Sequence, residues 1–81
     1  MTFDDLIGKH LNMTVDFDAK TGKSIIGKQF IDDLREGPMG ENVVMLRREG
    51  ADSVPVAVSK FLSVVEENCK IYGEDVVFAD I

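Results

Sequence analysis

Leu11–Phe30 reads LNMTVDFDAKTGKSIIGKQF, two alternating arms joined by a glycine-bearing turn. In the first arm Met13, Val15 and Phe17 fall on one side and Thr14, Asp16 and Asp18 on the other, the period of a half-buried strand. Asp18–Lys23 supplies the turn, with Gly22 placed to take a positive φ. The return arm, Ser24–Ile31, is rich in β-branched and aromatic residues, and Gly27 interrupts it as a bulge or sharp bend does. A rival pattern runs through the same residues: Ile26, Phe30 and Leu34 lie four apart, so Ile25–Glu36 also fits a helix. The expectation is the strand.

Working outward, Asp32–Glu41 is polar and punctuated by Gly37-Pro38 and Gly40, which predicts a loop. Asn42–Arg48 (NVVMLRR) reads as a third strand and Glu49–Asp52 as a turn. Ser53–Val58 alternates again, with Pro55 marking an edge or a strand start. Ser59 is placed to cap a helix over KFLSVVEENCKIY that ends at Gly73. On a wheel of about 100° per residue, Phe61, Leu62, Val64, Val65, Cys69, Ile71 and Tyr72 cover half the circumference, with Asn68 among them. After Gly73, Val76–Ala79 is a continuous apolar run that predicts a covered last strand. At the other end, Thr2 with Asp5 resembles a capping box, and Phe3, Leu6, Ile7 and Leu11 share a face, so a short helix is expected from Phe3 to about His10. The order is helix, four strands, helix, strand. This predicts one α+β domain over residues 1–81, with a curled, mostly antiparallel sheet of four or five strands.

From about Leu6 to Val58 the chain resembles the Sm-like small β-barrels. The residues that carry the likeness are Leu6-Ile7-Gly8-Lys9 before an alternating strand, the bent second strand with Gly27, Asn42-Val43-Val44-Met45-Leu46, and Val54-Pro55 opening the fourth. The resemblance implies a curved meander and, through Asn42 alone, an RNA contact. It departs in two places. That family holds the base with an Arg-Gly or similar pair near its last turn, and Ser53–Lys60 offers none. Residues 59–72 would continue the barrel as strand, yet their period is helical.

Composition narrows the function further. The chain has 81 residues, a net charge of −6, and one cysteine, Cys69. So short a chain hides about two-thirds of its unfolded surface, which leaves a thin stability margin that a second copy would widen. A lone thiol fits a reducing compartment, and no apolar run approaches the roughly twenty residues of a membrane span, so a cytoplasmic protein is expected. The acidic balance opposes a grip on phosphate backbones and favours basic partners.

Catalytic constellations are hard to assemble from these residues. Thr21-Gly22-Lys23-Ser24 evokes a phosphate-binding loop, but that motif needs glycine five residues earlier, where Phe17 stands. Asp32-Asp33 and Glu66-Glu67 are sequence neighbours whose side chains diverge, unlike an acid–base pair facing one cleft. One histidine and one cysteine make neither a metal site nor, without a motif, a nucleophilic pair. The expectation is therefore a non-enzymatic chain with no cofactor and no metal.

Two surfaces remain. Asp32, Asp33, Glu36, Glu66, Glu67, Glu74 and Asp75 are candidate partner-binding carboxylates, which at the right spacing imitate phosphates. Phe61, Val64, Asn68 and Ile71 are candidates for self-association into a homodimer, Asn68 fixing register as a lone buried polar residue does. The alternative for Asn68 is a bond to a backbone carbonyl inside its own core. The leading expectation is a small acidic inhibitor that occupies the basic nucleic-acid-binding surface of a partner protein, a profile shared by small regulators of phages and mobile elements. The alternatives are an Sm-like oligomeric module contacting RNA through Asn42, and a structural self-assembling subunit.

Overall fold

The computed structural model describes residues 3–79, with side chains from Asp4 onward. Four strands, β1 (His10–Phe17), β2 (Ser24–Glu36), β3 (Asn42–Arg48) and β4 (Val54–Ala57), form an open antiparallel sheet in the order β1-β2-β3-β4. Helix α1 (Val58–Tyr72) follows, then the short helix α2 (Glu74–Val77). The fold is α+β.

β2 organises the sheet because it is long enough to serve two partners in succession. Its first half pairs with β1, from Phe17↔Ser24 to His10↔Phe30. Its second half pairs with β3, from Gln29↔Arg48 to Glu36↔Asn42. The halves overlap only at Gln29 and Phe30. Each hairpin carries a register shift, one between Thr14 and Asp16 on β1 and one between Ile31 and Asp33 on β2. Such extra residues bend a strand and raise its twist. The bend expected at Gly27 is thus displaced onto Val15 of the partner strand. A Cβ built at Gly27 would lie 3.0 Å from Cγ2 of Val15, so glycine is what lets that side chain settle over β2.

The core lies between one face of this sheet and the helices. Leu11, Met13, Ile31 and Val44 are buried with Leu6, Phe61 of α1 and Val77 of α2. Val65, Cys69 and Tyr72 of α1 flank it. Phe61, Val65, Asn68 and Tyr72 fall at i, i+4, i+7 and i+11, the stripe a helix turns toward a core.

Several expectations are corrected. The strand reading of Ser24–Ile31 holds over a helix across Ile25–Glu36, and the strand continues through Asp32–Glu36, where the sequence suggests a loop. Polar residues there satisfy strand geometry because their backbone pairs with β3 while the side chains stand in water. The N-terminal helix shrinks to a 3₁₀ turn, Phe3–Leu6. Gly8, at φ +84°, turns the chain, its N–H bonds Ile31 O at 2.7 Å, and His10 already begins β1. Thr2, the expected capping residue, lies outside the described residues. Helix α1 starts at Val58, with Ala57 rather than Ser59 at its cap and no side-chain cap bond. Val76–Ala79 is not a fifth strand: Glu74–Val77 is helical, with Glu74 and Asp75 in its first turn where negative charge suits the helix dipole. Asn12 Nδ2 donates to Val76 O at 3.0 Å, which ties α2 to β1 through a side chain instead of a ladder.

Candidate protein-binding surfaces

The expected acidic residues separate into two groups. Asp32, exposed at the β2 shift, accepts from Nε and Nη2 of Arg47 at 2.9 and 3.3 Å and from the Ser53 hydroxyl. Arg47 and Ser53 together hold its carboxyl below the usual range. Asp33 accepts from Arg35 Nε at 2.9 Å and from the Leu34 N–H at 2.8 Å, and its carboxyl is likewise depressed, by Arg35 first. Glu66 pairs with Lys70 at 3.4 Å along α1. Glu36, Glu67, Glu74 and Asp75 are exposed and, among the described residues, have no ion pair. Three of those four sit on α1 and α2, so the uncompensated charge gathers on the helices and away from the Asp32-Asp33 pair.

The expected self-association stripe is divided in the same way. Phe61 is 1% exposed and belongs to the core, which removes it from any surface. Asn68, 5% exposed, is spent inside the chain: Oδ1 accepts the Thr14 N–H at 2.9 Å and Nδ2 donates to Val64 O at 2.8 Å. The carbonyl bond matches the alternative expected of this residue, and the bond to Thr14 adds to it. Val64 and Ile71 remain exposed on one flank of α1. Asn42 opens β3 on the exposed surface, opposite Glu36.

Two arrangements carry no sequence signature because they depend on register. On the sheet face away from the core, His10, Phe30 and Arg47 line up across three strands. The His10 and Phe30 rings lie 5.4 Å apart, and the Arg47 guanidinium sits 4.5 Å from the Phe30 centroid. The ring face and the Asp32 carboxylate together fix that guanidinium. At the β1 edge, the Tyr72 hydroxyl meets those of Thr14, at 2.8 Å, and Ser24, and these bonds draw its phenol below the ordinary value.

Shallow grooves among the described residues include two on the sheet. One, of about 380 Å³, is floored by Leu46, Val54 and Val56. The other, of about 260 Å³, lies over Val15 and Gly27 beside Lys28 and Glu49. Arg48 borders both, and neither is lined by His10 or Cys69. Burial raises the Cys69 thiol, with the charge of Glu74 adding to the effect, so the thiolate form is disfavoured. Among the described residues no three His, Cys, Asp or Glu side chains converge as metal ligands, and no helix is long and apolar enough to cross a membrane. No protein-family model, curated protein or solved structure matches the chain.

Proposed function

We propose that this chain is a non-catalytic, cytoplasmic protein-binding regulator, an acidic domain that occupies a basic nucleic-acid-binding surface on a partner protein. The observation that supports the reading is the separation of charge. Asp32, Asp33 and Glu66 are answered by Arg47, Arg35 and Lys70, whereas Glu67, Glu74 and Asp75 on the helices are exposed and unanswered among the described residues. Unpaired carboxylates held on helices are where a basic groove gains most, since no internal partner must be displaced. Asp32 and Asp33 therefore leave the proposed contact set.

The test is capture from the native cytosol followed by competition. A phosphate mimic retains a basic protein in low salt, releases it as salt rises, and is displaced by an excess of oligonucleotide. The triple variant Glu67→Gln, Glu74→Gln, Asp75→Asn loses the partner, whereas Asp32→Asn keeps it. Direct retention of labelled RNA by the chain itself, lost on Asn42→Ala, would instead establish the RNA-contacting module.

A further inference from the structure

Among the described residues, three of the sheet's free edges carry a device that occupies or removes an outward donor. On the outer edge of β1, the Thr14 N–H is taken by Asn68 and the Phe17 N–H by Asp16 Oδ1 at 2.8 Å. On β4, Pro55 lies opposite Met45 and has no N–H to offer. The second half of β2 runs beyond the end of β1, and there the Leu34 N–H is taken by Asp33. Such devices are how sheets avoid pairing with other chains.

Among the described residues the first half of β2 shows no such device. Because the Thr14 N–H is spent on Asn68, Thr14 and Ile26 form a non-hydrogen-bonded pair, and the backbone groups of Ile26 point away from β1. By alternation those of Ser24 and Lys28 point the same way. β3 stops at Arg48, opposite Gln29, so no strand among the described residues meets them. Apolar side chains of this segment are uncovered: Ile25 is 46% exposed and Ile26 41%.

We infer that Ser24–Lys28 is a self-recognition edge, and that its occupant is the same segment of a second copy, paired antiparallel about a two-fold axis at Ile26. Only an extended backbone matches donors and acceptors repeating every second residue. The segment is its own complement: Ile26 faces Ile26, and Ser24 faces the Lys28 of the second copy, with about six backbone hydrogen bonds if each facing pair makes two. The charges agree. No carboxylate lies between Asp18 and Asp32, so the edge avoids the repulsion a protein of charge −6 otherwise brings to a second copy. The same register carries the hairpin tip with Lys20 and Lys23 toward the β3–β4 turn of the other copy, where Glu49 and Asp52 are exposed. Among the described residues these four side chains have no ion pair. No carboxylate of the proposed acidic surface lies on this edge, so the two readings stand or fall separately.

The test is sedimentation velocity over a concentration series of the full chain. The wild type moves from monomer to dimer. Lys28→Pro deletes a donor from the open edge and none from the β1 ladder, and weakens the dimer at least tenfold. Ile26→Lys and Ile26→Glu, each alone, remain monomeric because like charges meet across the axis, and an equimolar mixture of the two restores a heterodimer. That rescue separates self-pairing from misfolding, and circular dichroism of each single variant checks the fold. A wild type that stays monomeric at millimolar concentration overturns the inference. So does a dimer that tolerates both Ile26 variants, or folded single variants whose mixture does not associate.

Discussion

The two halves of β2 belong to one strand and are treated in opposite ways. Ile31–Glu36 pairs with β3 and presents charge on its other side: Asp33 bonds the outward Leu34 N–H and Asp32 anchors Arg47. Ser24–Lys28 pairs with β1 and presents two isoleucines and bare backbone groups. The difference lies in side chains, since the backbone of each half has one partner strand and one open side. Carboxylates beside an open edge occupy its donors and repel an approaching chain, whereas β-branched residues invite one.

The largest effect should come from the residue that joins the halves. Ile31 is fully buried at the shift, its N–H bonding Lys9 O and its carbonyl accepting from Gly8. Ile31→Ala should cost about 3 kcal/mol in urea unfolding, by lost burial and an unfilled cavity. Next comes Gly27→Val, which forces a branched side chain into the space of Val15. It should cost about 2 kcal/mol by overpacking and loosen the first half alone, with the β2–β3 amides keeping their protection in hydrogen exchange. Asn68→Leu should cost about 1 to 2 kcal/mol, because it leaves the Thr14 N–H without its acceptor. It should also open β1 as a second edge, so that light scattering reports species larger than a dimer.

The smallest effect concerns the charged half. Asp32 and Asp33 have carboxyls depressed in the folded state, so their contribution is present above the unfolded value near 4 and is lost as pH falls through the lower folded values. Thermal melts should decline below about pH 4. Asp32→Asn should flatten part of that decline while changing neutral stability little, because the pair with Arg47 is exposed to solvent.

Much of this architecture is legible in the chain and some is not. The hairpin of Leu11–Phe30, the strand Asn42–Arg48 and the amphipathic span ending at Tyr72 follow from period and turn residues. Val76–Ala79 misleads because a four-residue apolar run carries no period; Gly73 and the acidic pair Glu74-Asp75 were the helix signal there. Asp32–Glu36 misleads because its polarity suggests a loop, when a strand with one wet face tolerates it. Composition identifies the acidic residues, but only geometry separates the answered carboxylates from the unanswered ones. The open edge is invisible in sequence altogether, since it arises where two partner strands fail to overlap.

Amide hydrogen exchange along β2, followed from micromolar to millimolar protein, is the most direct trial of that edge. Ile25 and Gly27 face β1 and should be protected at every concentration. Ile26 and Lys28 should exchange freely in dilute solution and become protected as concentration rises. Equal protection of all four amides in dilute solution, or exposed Ile26 and Lys28 amides that never slow, would contradict the account.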